Sequence, residues 1–369
     1  MKLFNVGATR QATDAAWASA ATDLVQRTLA QHGLASQSPQ AGQIDLASLP
    51  SIDSMLAKLS RPSKRSGFPK VIVPDGATFE EDIFACPSGS RRYRLYVPAC
   101  ASESARGVVM MLHGCTQTPE DFATGTGMNA LADLHGFVVI YPAQSRGDNA
   151  QSCWNWFSRG DQRRGRGEPA ILAELARKVC SEHGVTRDGT FVAGLSAGAA
   201  MAAILGEAYP DVFAAVGAHS GLPVGSAKDV PSAFAAMAGD ALAGPDPVAS
   251  GHRVRTILFH GSADRTVHLT NADGIAQRAH RVGPGPSVQT TDTGEAAGRT
   301  YKRRISCDAE GAAFLEHWTI DGQGHAWSGG KPGGSHTDPT GPDASAEMVR
   351  FFFETSSKAT ENGRHDTDL

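Results

Sequence analysis

Thr190-Phe191-Val192-Ala193-Gly194-Leu195-Ser196-Ala197-Gly198-Ala199-Ala200-Met201 is the stretch on which the reading of this chain turns. An apolar run, Thr190 to Ala193, leads into a Gly-x-Ser-x-Gly pentad and then into small helix-forming residues. A serine between a strand and a helix sits on a sharp turn: the flanking glycines avoid clashes, and Oγ is presented at the top of a sheet. Such a serine is a nucleophile, and ester hydrolysis is the expected chemistry once a base, an acid and oxyanion donors are found.

Working outward, apolar runs alternate with helical patterns. Strands are expected near Thr78 to Ala85, Arg91 to Val97, Gly107 to His113, Gly136 to Tyr141, Thr190 to Gly194, Ala214 to His219, Val254 to His260 and Ala313 to Ile320. Helices are expected near Thr126 to Leu134, Pro169 to Glu182, Ala197 to Ala208, Asn271 to Arg281 and Asp343 to Glu354. This alternation implies an α/β fold with a mostly parallel central sheet, helices on both faces and an antiparallel start. In such sheets the chemistry lies beyond the strand C-termini. Residues 1–67 read as an N-terminal extension, with an amphipathic helix over 11–33 and a Ser/Pro/Gln/Gly-rich connector. The catalytic domain is expected over 68–355, followed by a polar tail over 356–369.

Two strand ends supply partners for Ser196. After the run Val254 to His260 comes Gly261-Ser262-Ala263-Asp264, which leaves the Asp264 carboxylate at the sheet edge. After the last strand comes Gly322-Gln323-Gly324-His325-Ala326-Trp327, whose glycines free the backbone to aim the imidazole. The order Ser196, Asp264, His325 is that of nucleophile, acid and base in hydrolases of this topology. His260, His268 and His336 compete for the base, and Asp273 for the acid. The oxyanion donors are expected to be the backbone N–H groups of Ala197 and Cys115, with Thr116 as the alternative to Cys115. Cys153-Trp154-Asn155-Trp156-Phe157 concentrates aromatics in a polar loop; with Trp327 and His113, Trp154 and Trp156 are candidate substrate-binding residues on an apolar platform. Packing of the loop to the core is the other reading. Trp17 and Trp318 read as packing residues, and Arg159, Arg163, Arg164 and Arg166 as a solvated loop.

Composition narrows the alternatives. A formal net charge of −4 on 369 residues, with no basic arm, excludes nucleic acid as a partner. The longest apolar stretches are strand-length, so no membrane span is expected. The Met1-Lys2-Leu3-Phe4-Asn5 start lacks a continuous apolar region, so the chain as written is expected in the cytoplasm, with the periplasm or the exterior as the alternative. Six cysteines without a Cys-x-x-Cys pair argue against zinc. The Cys86–Cys100 and Cys115–Cys153 pairs are candidates for disulfides. No cofactor or metal is needed for the chemistry, and oligomeric state is not legible.

The motifs Leu112-His113-Gly114-Cys115-Thr116-Gln117, Cys153-Trp154-Asn155-Trp156-Phe157, Gly194-Leu195-Ser196-Ala197-Gly198, His260-Gly261-Ser262-Ala263-Asp264 and Gly324-His325-Ala326-Trp327-Ser328-Gly329-Gly330 resemble those of the poly(3-hydroxybutyrate) depolymerase family of esterases, within the α/β-hydrolase fold. The resemblance spans roughly Phe79 to Phe353 and implies Ser196, Asp264 and His325 as nucleophile, acid and base. The family also includes feruloyl and acetylxylan esterases, so it does not fix the acyl group. Secreted polymer degraders of the family carry a signal peptide, linker and binding domain that are not seen here, so small or oligomeric soluble esters of hydroxyalkanoates are the expected substrates. The rivals are a serine peptidase of the same fold and a non-catalytic binding protein on a hydrolase scaffold.

Overall fold

The computed structural model describes residues 71–102, 104–247, 251–285 and 287–354. The expected helix over 11–33, the connector and the tail over 356–369 lie outside the described residues. Within them, the strands that read as continuous apolar runs are β3 (Val108–Leu112), β4 (Val138–Pro142), β5 (Thr190–Leu195) and β6 (Ala215–His219), each buried along its whole length. A strand covered on both faces has no polar side to show, which is why alternation is absent from these segments.

With β1 (Thr78–Cys86), β2 (Gly89–Val97), β7 (Arg255–Gly261), β8 (Val288–Ala296), β9 (Arg299–Cys307) and β10 (Ala313–Ile320) they form one ten-stranded sheet in the order β1-β2-β4-β3-β5-β6-β7-β10-β9-β8. The six central strands, from β4 to β10, run parallel; β1 and β2 pair antiparallel at one edge, and β9 and β8 at the other. Register aligns Leu195 with His219 and His219 with Phe259, so β5, β6 and β7 end side by side at one edge.

The period of two along each strand deals side chains to two cores. Val108, Met110, Leu112, Val192 and Leu258 pack beneath α3 (Gly167–Glu182), α4 (Ala197–Ala208), α5 (Val230–Met237) and α6 (Thr270–Arg281). Val109, Met111, Phe191, Ile257 and Phe259 face α1 (Pro119–Thr126), α2 (Met128–His135) and α7 (Ala344–Phe353). This is the doubly covered arrangement expected of the alternation.

Three elements depart from the sequence reading. The hairpin β8–β9 is absent from it because β8 is largely exposed, both strands are rich in polar residues, and its tight turn is Ala297-Gly298, both at positive φ, rather than an Asn-Gly signal. The helix expected near Thr126 to Leu134 is α2; α1, ahead of it and divided from it by left-handed Gly127, is absent from that reading, and it opens on a Thr118 cap with Pro119 behind it. Helix α5 is the third, capped by Asp229 and Ser232 reciprocally. Of the two cysteine pairs, Cys115–Cys153 is a disulfide, whereas Cys86 and Cys100 are free. Cys86 pairs with Gly89 at the hairpin end and Cys100 follows the other end of β2, a nine-residue strand that holds them roughly 30 Å apart.

Phe352 on α7 stacks on Phe191 of β5 with ring centroids 4.8 Å apart and is buried. Phe352→Ala is expected to lower the free energy of unfolding by about 3–5 kcal/mol, read from urea midpoints; a loss under about 1 kcal/mol would contradict its place in this core.

Candidate active site

The turn after β5 is tight because its glycines admit backbone where a side chain would stand. A Cβ on Gly198 would collide with Leu112 O and lie 2.6 Å from His113 O; one on Gly194 would lie 2.7 Å from Leu112 O and overlap the Gly198 carbonyl carbon. The first turn of α4 therefore rests directly on the end of β3. Ser196, between the glycines, takes φ 57° and ψ −119°, a conformation that strains any residue with a Cβ, by about 1–3 kcal/mol. Strain of this kind gathers at this edge of the sheet: Thr116, Ser152, Ser220 and His336 also have positive φ.

The backbone ladder continues past the strands. Ser196 N donates to His219 O at 2.9 Å, Ser220 N to Phe259 O at 2.9 Å, and Ser262 N to Ile320 O at 2.8 Å. The loops after β7 and β10 are zipped together by Ala263 N on Gln323 O at 3.0 Å, and this approach needs Gly261, whose Cβ would lie 2.7 Å from the Gln323 carbonyl carbon. Of the two glycines read beside His325, Gly322 takes positive φ (65°), while nothing stands within 4 Å of a Cβ placed on Gly324.

These loops bring Asp264 and His325 together: the Nδ1–H of His325 donates to Asp264 Oδ2 at 2.7 Å. A neutral imidazole carrying its proton on Nδ1 has its Nε2 lone pair free as a base. The other carboxylate oxygen, Oδ1, accepts from Thr266 N and Val267 N, each at 2.9 Å. Burial alone pushes the Asp264 carboxyl upward; the hydrogen bond and charge of His325, the Val267 N–H and nearby His260 outweigh it and bring the group down to about 2. Three of the competitors are engaged elsewhere. His260 donates to Val267 O at 2.8 Å, His268 meets Thr270 Oγ1 at 2.9 Å, and Asp273 pairs with Arg304 at 2.6 Å. His336 presents its carbonyl to Trp327 N.

The loop after β3 carries the candidate oxyanion donor. Thr116 N donates to Gln151 O at 2.8 Å, which removes the alternative, whereas neither Cys115 N nor Ala197 N meets an acceptor among the described residues. Cys115 is bonded to Cys153, so the sulfur cross-links the loop and leaves its N–H available. Gln117, which the sequence reading gave no role, holds the same loop: its Oε1 accepts Gly114 N at 2.9 Å, and its Nε2 donates to Asp121 at 2.9 Å and Ser335 O at 3.1 Å.

The aromatic platform is corrected. Trp154 is 0% exposed, Trp327 1%, His113 1% and Trp156 6%, and the polar atoms of Trp154, Trp327 and His113 are satisfied internally. Trp154 Nε1 donates to His113 O, Trp327 Nε1 donates to Ser345 Oγ, and His113 donates from Nδ1 to Gly114 O while Nε2 accepts Gln144 N. The loop that carries Trp154 and Trp156 is fixed inward because Asn155 ties it to buried Glu168 by two hydrogen bonds of 2.8 and 2.9 Å. Arg164, in the arginine-rich loop, pairs with Asp211.

His219 was also missed as a site residue; its one signal is a histidine closing an apolar strand. It is wholly buried, stacked between Phe259 and Trp327, and its Nε2 accepts Ser328 N at 3.1 Å while its carbonyl holds Ser196 N. One residue thus touches both the serine turn and the segment after His325.

The chain belongs to the esterase PHB depolymerase family, whose model matches residues 91–300. It is 31% identical over 255 residues to poly(3-hydroxyalkanoate) depolymerase C of Paucimonas lemoignei, covering 66% of this chain and 60% of that one. Acetylxylan esterase A of Aspergillus oryzae is 28% identical over 218 residues, covering 54% and 69%. Among solved structures, an acetyl xylan esterase from Aspergillus awamori matches with a TM-score of 0.58 and 23% identity, over 75% of this chain and 98% of that one. That likeness shows the fold, the α/β-hydrolase fold.

Burial holds His219 near 3, His113 near 4 and, with Arg304 adding to it, His317 near 4, all from 6.5. Each binds its proton more readily when unfolded, so its contribution to stability is full above 6.5 and shrinks as pH falls toward the folded value; the depressed Asp264 carboxyl adds the same sign below 3.8. Stability is expected to drop by about 4 kcal/mol per pH unit between roughly pH 6 and 5 for three such histidines. Urea unfolding at pH 7, 6 and 5 measures this, and a flat profile contradicts it.

Proposed function

We propose that the protein is a serine carboxylic-ester hydrolase. The observation that carries the reading is the 2.7 Å hydrogen bond between His325 Nδ1 and Asp264, made at the sheet edge where Ser196 is held on its strained turn. His325 Nε2 takes the Ser196 hydroxyl proton as Oγ bonds to the ester carbonyl carbon, and the carbonyl electron pair moves onto oxygen. The N–H groups of Cys115 and Ala197 stabilise that oxyanion. Its collapse breaks the bond to the alcohol, which leaves with the proton from His325. Water then repeats the sequence on the acyl-enzyme: His325 takes a proton from water, hydroxide attacks, and Ser196 leaves reprotonated with release of the acid. Asp264 orients the imidazole and balances its charge throughout.

The substrates proposed are soluble oligoesters of hydroxyalkanoates, in keeping with the Paucimonas relative's name. A second reading, release of acetyl groups from a polysaccharide, is favoured by the greater share of the Aspergillus oryzae relative that the chain spans, 69% against 60%. The Cys115–Cys153 disulfide supports an oxidising compartment, the periplasm or the exterior, over the cytoplasm. No helix among the described residues is long and apolar enough to cross a membrane.

Ser196→Ala is expected to lower kcat on a short-chain chromogenic ester by on the order of 10³-fold or more, with the unfolding midpoint unchanged; activity within a few-fold of the parent protein overturns the reading. A panel of hydroxybutyrate oligomers, acetylated xylan, feruloyl esters and peptide anilides is expected to show the highest kcat/KM on the oligomers. Preference for acetylated xylan selects the second reading, and turnover of the anilides above all esters contradicts both.

A further inference from the structure

The Asp264 carboxylate has two imidazoles against it. His325 meets Oδ2 at 2.7 Å; His260, on β7, stands with Nε2 at 3.5 Å from the same oxygen, with both side chains fully buried. The Nε2–H of His260 donates to Val267 O at 2.8 Å, which fixes the tautomer and leaves Nδ1 as the lone-pair nitrogen. That Nδ1 is buried and has no hydrogen-bond partner among the described residues. A side chain kept for packing alone has no reason to bury an unsatisfied nitrogen, since phenylalanine or leucine would fill the space without that cost. The useful part of the ring is therefore its Nε2–H, shared between a loop carbonyl and the edge of the carboxylate.

Resting on the triad reading above, we propose that His260 is a positioning residue for Asp264. Its Nε2–H anchors the Val267 carbonyl, whose own N–H holds Asp264 Oδ1, and sets the positive end of a dipole against Oδ2. The carboxylate is thereby clamped from both oxygens with Oδ2 aimed at His325 Nδ1, and part of its negative charge is balanced by a second N–H dipole at the same oxygen. His219 on β6, His268 on the loop after β7, and His317 on β10 with Arg304 and Asp273 behind it are the other titratable groups around this pair.

The sign of the effect follows from charge. Asp264 favours the protonated form of His325, and an N–H dipole on Oδ2 offsets part of that preference. Without the dipole the proton is held more tightly, so the acidic limb of kcat/KM moves to higher pH. His260→Leu, in the full chain assayed on the chromogenic ester, is expected to lose about 10-fold or more in kcat with KM within about threefold, and to shift the limb upward by about 0.5 pH unit or more. His260→Gln puts an amide N–H near the place of Nε2 and is expected to recover kcat to within about threefold, with the limb back in place. Where the leucine variant does not fold, His260→Asn replaces it, since its amide falls at the Nδ1 position and misses Val267 O. A leucine or asparagine variant with the parent limb and kcat within about twofold overturns the proposal, as does equal loss in the glutamine and leucine variants without any shift. Ser196→Ala run alongside separates the two ideas: unchanged activity there defeats the triad itself, whereas its loss beside a normal His260 series defeats only the role of His260.

Discussion

Helix α4 can lie against the end of β3 only because two residues of the serine turn have no side chain. Gly194 and Gly198 let backbone meet backbone at Leu112 and His113, and the geometry that results leaves Ser196 no unstrained choice of φ and ψ. The same contact brings the start of α4, whose Ala197 N–H has no acceptor among the described residues, beside the loop that offers the Cys115 N–H. A strained serine and two unsatisfied donors are both unfavourable on their own. They persist because the doubly covered sheet over-determines them from both faces.

Around that turn, the loops after β3, β7 and β10 are joined by short links rather than by mass of contact. The Cys115–Cys153 disulfide and Gln117 hold the first, Ala263 on Gln323 joins the second to the third, and His219 reaches from the serine to Ser328. Electrostatics follow from the same burial. His113, His219 and His317 are kept neutral by desolvation, whereas Asp264, buried as well, stays ionised because its two oxygens have N–H partners. Buried groups of both kinds make the site's integrity sensitive to acid.

The chain's linear pattern disclosed the interior of the fold and little of its edge. Val108–Leu112 and Thr190–Leu195 are apolar along nearly their whole length, so their burial is written locally; Arg299–Cys307 is polar on one face and mixed on the other, and only pairing with its neighbours makes it a strand. Asp264 and His325 were legible because each follows a strand in a glycine-containing loop, and the structure joins them. His219, His260 and Gln117 were not, because their roles depend on which carbonyl or carboxylate the topology sets opposite them. Trp154 and Trp327 misled for the converse reason: aromatics in a polar segment resemble a surface platform, yet Glu168, Ser345 and the His113 carbonyl fasten these loops inward.

The central claim is that one strained hydroxyl, one imidazole and two backbone N–H groups converge on a single tetrahedral centre. A crystal structure of the protein after reaction with an alkyl phosphonate tests it directly. A convergent site places phosphorus on Ser196 Oγ, with the phosphonyl oxygen about 3 Å from the nitrogens of both Cys115 and Ala197 and His325 Nε2 within hydrogen-bond reach of the adduct. Phosphorus on another residue, or a phosphonyl oxygen turned away from both nitrogens, contradicts it.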